Sequence, residues 1–170
     1  MVKYMNIENR FLTKNEMTRS CEPIKNVKRI ILCGSNIKNV SSLKYRNYID
    51  NFRFKDETYL SFHYIIDLNG NIIRCIPEEE ISWSTNLFDI DSSSISLLIL
   101  TDEYDNISID SFNSQVKVIR ELCEKYLLDP LEDVILNNGI TGRRNPSYYL
   151  DNTYKFEKLR KQISENIWNE

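Results

Sequence analysis

Histidine is almost missing from this chain of 170 residues: His63 is the only one. A metal centre of the multi-histidine kind therefore cannot be assembled from this chain alone. The four cysteines, Cys21, Cys33, Cys75 and Cys123, are nowhere paired as C-x-x-C, which excludes a zinc ribbon and a thioredoxin motif. They are expected to be free thiols in a reducing compartment, with Cys33 treated separately below. Positive charge is not in surplus. Lys and Arg number 22 against 25 Asp and Glu, a formal net charge of −3, which argues against a general nucleic-acid binder. No apolar run approaches the length of a membrane span. The opening residues, MVKYMNIENRFLTKNE, are polar and lack the apolar core of a signal peptide, so synthesis in the cytoplasm without direct export is expected. Internal repeats, linkers and composition shifts are also missing. One domain over residues 1–170 is expected, with an N-terminal arm over about residues 1–25.

What is present describes a globular protein: 41% hydrophobic and 28% charged residues. Val27 to Cys33 is a short β-rich apolar run and reads as a buried strand, ended by Gly34-Ser35-Asn36. Ser41 to Phe54 places Leu43, Tyr45, Tyr48, Ile49 and Phe52 at mixed three- and four-residue spacing, as an amphipathic helix does. Tyr59 to Asp67 and Asn71 to Ile76 flank Asn69-Gly70, a strong hairpin turn. Ser94 to Thr101 reads as a central strand. Ile109 to Leu128 is a long amphipathic helix, with Asp110 or Ser111 as candidate caps and Asp129-Pro130 as its end. Val134 to Leu136 is a short strand leading into a polar loop, and Tyr154 to Trp168 a terminal helix packed on the sheet. Strands alternating with helices, plus one hairpin, give an α/β fold: a mixed central β-sheet flanked by helices. The single His63 neighbours Phe62 on a strand, so the two face opposite sides and His63 is expected in the core. Asp67 and the run Glu78-Glu79-Glu80 offer carboxylates, the run being expected as a solvated face.

The stretch Asp133 to Pro146, DVILNNGITGRRNP, resembles the C-terminal zinc-binding loop of zinc-dependent N-acetylmuramoyl-L-alanine amidases of the peptidoglycan-recognition-protein-like kind, clostridial or phage type. In those proteins the loop looks like R-H-Y-D-V-T-G-K-x-C-P, and Ile140-Thr141-Gly142 with Pro146 fits the frame without a gap. The hairpin run SFHYIIDLNGNIIRCIPEEEISW is similar to S-x-H-Y-I-I-x-x-D-G-x-I-x-x-x-I-P-x-x-x-x-x-W/Y-H. The arm Phe11-Leu12-Thr13 with Asn15, the run Tyr45-Arg46-Asn47-Tyr48-Ile49 and the strand Val27-Lys28 to Cys33 resemble the family as well. The likeness spans roughly Phe11 to Trp168, and it implies the amidase fold.

The resemblance also implies a site. Active relatives hold zinc with two His and one Cys or Asp, leaving a position for water. The metal lowers the water's pKa and polarises the amide between lactate and L-alanine. By the match, the ligand positions hold Cys33, Asn137 and Asn145. Anchoring from Asn36 instead puts the first of them on Leu32, but the strand is the more rigid reference. Neutral amides are very poor zinc ligands, so no metal and no cofactor is expected. The assisting positions carry Phe62, Leu98 and Arg143, and the His that follows the aromatic is Ser84, after Trp83. Arg143, Trp83, Ser84 and Asn137 are the expected ligand-binding residues. The implied reading is an amidase-fold pseudoenzyme that binds peptidoglycan fragments, or a protein partner, without zinc-dependent hydrolysis. An active amidase with an unusual zinc site is the alternative. Partners would be peptidoglycan or an unknown protein, with no nucleic acid and no membrane span. Meeting a cell wall would require release of the phage type.

Overall fold

The computed structural model describes residues 6–55 and 59–167. Six strands form one sheet: β1 (Ile7–Asn9), β2 (Arg29–Cys33), β3 (Tyr64–Ile66), β4 (Ile72–Arg74), β5 (Ser94–Ile99) and β6 (Val134–Leu136), in the spatial order β1-β4-β3-β5-β2-β6. Only β3 and β4 pair antiparallel; the other neighbours are parallel, so the sheet is mixed as expected. The helices are α1 (Ser42–Asp50), continued by a tight turn over Asn51–Phe54, then α2 (Phe88–Asp91), α3 (Ile109–Tyr126), α4 (Asn138–Thr141), α5 (Ser147–Asp151) and α6 (Thr153–Ile167).

Both faces of the sheet are covered, which is why its strands are apolar on consecutive positions rather than every second one. Ile30, Leu32, Tyr64, Ile66, Leu97 and Ile99 point to the layer of α3 and α6, where Ile119, Leu122, Leu159 and Ile163 meet them. Ile31, Cys33, Ile65, Ile73 and Leu98 point the other way, to Tyr45, Ile49 and Phe52 of α1 and its continuation. Side chains alternate along a strand, so neighbours in sequence serve opposite layers.

Local chemistry sets the ends of the elements. Ser41 caps α1, its side chain accepting from the backbone N–H of Lys44. The carboxylate of Asp67 accepts from the N–H and hydroxyl of Ser42, both at 2.9 Å, and also from the N–H groups of Asn69 and Asn71 in the hairpin turn. Asp67 is thus a buried brace between turn and helix. Gly70 has φ +77°, and a Cβ there would lie 2.9 Å from the carbonyl oxygen of Asp110, so glycine is required by both conformation and the approach to α3. The cap of α3 is Ser108, whose Oγ accepts from the N–H of Ser111, and not Asp110 or Ser111. The serine one turn earlier also donates to the carbonyl of Leu68, so the hairpin selects it. The helix ends on Leu127 in the left-handed region, before Asp129-Pro130. Trp168, expected at the end of α6, lies outside the described residues, as do the first five residues of the arm.

Two further expectations are corrected. The arm is not wholly irregular: Ile7–Asn9 adds an edge strand parallel to β4. The glutamate run is a solvated face only at Glu79. Glu78 is buried, and its carboxylate accepts from the hydroxyls of Tyr64 and Tyr126 and from Lys125 Nζ at 2.7 Å. Glu80 forms a two-bond pair with Arg19, at 2.8 and 3.0 Å. These partners come from distant parts of the chain and outweigh the local polarity of the run.

His63 is fully buried. Its Nδ1 accepts from the backbone N–H of Ser96 at 3.0 Å, which leaves the proton on Nε2 to donate to the carbonyl of Glu80 at 2.8 Å. Burial holds its pKa down, from 6.5 to about 4, although the nearby carbonyl and glutamates pull it upward. A base with a lowered folded pKa contributes stability that is fully present above its unfolded value and is lost as pH falls towards the folded value. Between pH 6.5 and about 4 the stability advantage of wild type over His63→Gln should therefore shrink, by on the order of 3 kcal/mol in urea titrations. A pH-independent difference would show that the imidazole is not held neutral.

Candidate functional site

The ends of β2 and β6 are neighbours in the sheet, with Ile31 beside Ile135 and Leu32 beside Leu136. The polar loop after β6 therefore emerges beside Cys33. Cys33, Phe62, Ser84, Asn137, Arg143 and Asn145 line one open cleft of about 270 Å³, with Tyr45 and Tyr48 of α1 on its wall. Sequence reasoning placed the two tyrosines on a helix, in the run that resembles the family, and not at the site; in the structure Tyr45 is buried and Tyr48 exposed. Leu32 lies in the opposite layer, under α3 and α6. Two expected residues are not among those lining this cleft. Leu98 is fully buried in β5, register partner of Cys33, behind the cleft floor. Trp83 packs to one side, its ring 6.2 Å from that of Tyr59 and 6.4 Å from that of Phe88.

The amides at the inferred ligand positions are hydrogen-bonded within the protein. Asn137 is buried; its Nδ2 donates to the carbonyl of Ser84 at 3.3 Å and to Cys33 Sγ at 3.7 Å, while its Oδ1 accepts from Thr141 Oγ1 at 2.7 Å. Asn145 makes a reciprocal pair with the backbone of Gly34: its Oδ1 accepts from the Gly34 N–H at 2.8 Å, and its Nδ2 donates to the Gly34 carbonyl at 3.1 Å. The contact is close. A Cβ on Gly34 would lie 3.0 Å from the Cβ of Pro146.

Cys33 is a neutral thiol at ordinary pH. Burial pushes its pKa up to about 12, against the lowering effect of the Asn137 hydrogen bond. Among the described residues no three His, Cys, Asp or Glu side chains converge as a metal site. At the cleft, one buried thiol and two amides whose oxygens already accept protein hydrogen bonds do not fit zinc, which takes thiolate, imidazole or carboxylate donors.

The electrostatics of the cleft are one-sided. Arg143 and Arg144 line it, and no Asp or Glu does among the described residues. Arg144 is tied to Asp151, one of its two bonds at 2.6 Å. Arg143 is exposed and has no ion-pair partner among the described residues.

A family model described as N-acetylmuramoyl-L-alanine amidase matches residues 26–150, most of the chain, and the chain belongs to that family. Members of that family are typically zinc-dependent. Among individual proteins, N-acetylmuramoyl-L-alanine amidase BlyA of Bacillus subtilis (strain 168) is 22% identical over 177 aligned residues, covering 94% of this chain. The chain spans about half the length of that relative, 47%. The structure of PlyL superposes with a TM-score of 0.78 at 19% identity, covering 94% of this chain and 97% of the other. The solution structure of the PlyG catalytic domain gives 0.79 at 16% identity, covering 96% of each. These likenesses establish the fold: a mixed sheet flanked by helices, as in the amidase structures.

The Asn145–Gly34 pair predicts a specific sensitivity. Asn145→Asp keeps the shape, removes the donor to the Gly34 carbonyl and sets a carboxylate oxygen against it. At neutral pH this should destabilise the protein by about 1–3 kcal/mol in chemical denaturation, the scale of a lost hydrogen bond with an unmet polar group. Unchanged stability would mean that the reciprocal pair does not form.

Proposed function

We propose that the chain is an amidase-fold pseudoenzyme that binds peptidoglycan fragments in this cleft without zinc-dependent hydrolysis. The observation that carries the reading is the state of the inferred ligand positions: both amide oxygens, of Asn137 and Asn145, are taken up by the protein, and the remaining donor is a buried thiol with a raised pKa. Proton handling supports the same reading. Amide hydrolysis needs one group to accept a proton from water and another to supply one to the leaving amine. No His, Asp or Glu lines the cleft among the described residues, and Phe62 and Leu98 stand at the assisting positions with no proton to move. The single histidine is on the core side, locked between Ser96 and Glu80.

Binding has positive support from charge. The cleft lining is cationic although the chain is acidic overall. Stem peptides of peptidoglycan carry carboxylates, and a planar guanidinium can grip a carboxylate with two parallel hydrogen bonds. Arg143, exposed at the rim and without an acidic partner among the described residues, is the residue proposed to do so. Ser84 and Asn137 line the same cleft, with their side chains hydrogen-bonded within the protein, Ser84 to Asp91 and Asn137 to Ser84, Cys33 and Thr141.

Calorimetric titration with a muropeptide should give binding to wild type, weakened by about 1.5–3 kcal/mol in Arg143→Ala, the scale of a charged hydrogen bond. Absence of wild-type binding at millimolar ligand would overturn the reading in favour of a protein partner, and an unaltered affinity in the variant would clear Arg143 of the role.

Metal analysis provides a second test. Untagged wild type should carry far less than stoichiometric zinc. The combination Cys33→His, Asn137→His and Asn145→Cys should raise zinc affinity strongly while leaving hydrolysis low. Stoichiometric zinc in the wild-type cleft would overturn the pseudoenzyme reading.

A further inference from the structure

The start of α3 and the first half of α6 build an open groove of about 320 Å³ that shares no residue with the cleft lining. Ile107, Ile109, Phe112, Tyr148 and Tyr154 supply its apolar walls, and Ile109 is 70% exposed and Tyr154 67%. Two lysines stand among these rings. Lys155 Nζ lies 5.3 Å from the centroid of Tyr148, and Lys158 Nζ 6.0 Å from that of Phe112. Neither lysine pairs with a carboxylate among the described residues, and no Asp or Glu among them lines the groove. An exposed apolar surface of this kind marks a contact site, and its uncompensated positive charge selects an occupant that sets an apolar side chain among acids.

The chain itself carries such a segment. Asp102-Glu103-Tyr104-Asp105 forms the turn between β5 and α3. Tyr104 is 77% exposed, the most exposed aromatic side chain among the described residues, so it does not fill its own groove. Glu103 beside it is exposed and pairs with no cation among the described residues. The turn is fixed from within. Asp102 Oδ1 accepts from the N–H groups of Tyr104 and Asn106, each at 2.9 Å, and the Asp102 N–H donates to the carbonyl of Asn106 at 3.0 Å. Asp105 anchors it to the body, accepting from Thr101 Oγ1 at 3.0 Å, from Lys38 Nζ and from Ser147 Oγ. A knob held in this way docks without the entropy loss of ordering a mobile loop.

Knob and groove lie side by side. The turn leads directly into Ile107 and Ile109 of the groove wall, and its Asp105 holds Ser147, the neighbour of the groove residue Tyr148. A two-fold axis can use such a pair twice, because each molecule then offers the same surface to the other. We infer that a second copy of this chain occupies the groove: the Tyr104 knob of each protomer enters the groove of its partner, and Glu103 meets Lys158 across the interface. The rings of Tyr148 and Tyr154 and the side chains of Ile109 and Phe112 receive the phenol, while the lysines neutralise the acids beside it. Two small contacts of this kind make a reversible dimer, dissociating at about 10–100 µM.

Analytical ultracentrifugation of the full chain tests this. Between about 1 µM and about 500 µM protein, wild type should show a monomer–dimer equilibrium that added salt weakens. Tyr104→Ser should weaken it about thirtyfold, the scale of a central anchor residue. Glu103→Lys and Lys158→Glu, both at exposed positions, each set like charges against one another at both contacts, and each should be monomeric at the wild-type midpoint. An equimolar mixture of the two should dimerise again, because every mixed pair restores opposite charges at both contacts. A monomer at all concentrations would overturn the second copy as occupant and leave the groove to another acidic partner. Species larger than a dimer would overturn the two-fold arrangement. A dimer untouched by Tyr104→Ser, or no recovery in the mixture, would overturn this surface as the interface.

Discussion

The alternation of side chains along β2 is the constraint on which the rest of the molecule depends. Because the strand lies between β5 and β6 with both faces covered, Ile30 and Leu32 must serve the layer of α3 and α6, and Ile31 and Cys33 the layer of α1. A slip of one residue would exchange the two sets and bring a leucine to the cleft in place of the thiol. The pairing of β2 with β6 then brings Asn137 beside Cys33, and the loop beyond returns Asn145 to Gly34. The cleft is therefore a product of sheet register before it is a product of any contact inside it.

Within that frame, hydrogen bonds link the elements that meet at the cleft. Asn137 reaches Cys33 at the end of β2 and Ser84 in the loop after β4, while Asn145 closes on the backbone of Gly34. Each amide presents both a donor and an acceptor, so it can satisfy two opposed polar groups at once, which an ionised carboxylate, an acceptor only, cannot. The exposed arginines Arg143 and Arg144 add positive charge at the rim without entering this network, Arg144 being paired with Asp151.

Much of the fold was legible because it rests on local periodicity. The strand to Cys33, the helix after Ser41, the hairpin about Asn69-Gly70 and the long helix after Ser108 all declare themselves by apolar spacing and turn chemistry. The positions of Cys33, Asn137, Asn145, Phe62, Ser84 and Arg143 in one cleft were reached through the family resemblance, and the geometry brings those residues together. What was not legible depends on partners far apart in sequence. A run of three glutamates reads as solvated until Tyr64, Tyr126 and Lys125 are seen around Glu78. Likewise, nothing in the sequence near Tyr59 announces that its ring will stand beside Trp83 and Phe88. The edge strand Ile7–Asn9 is too short to carry a period and exists because β4 offers it a free ladder.

The reciprocal bond between Asn145 and Gly34 has a thermodynamic corollary. Any ligand that binds only the native state makes stability a function of that ligand's concentration, and metal binding adds a dependence on pH because the ligands must lose protons. Two neutral groups exchanging hydrogen bonds titrate nothing and recruit nothing. The contact between Asn145 and Gly34 is therefore an intrinsic property of the chain, and these two hydrogen bonds themselves respond neither to pH nor to a dissolved ion.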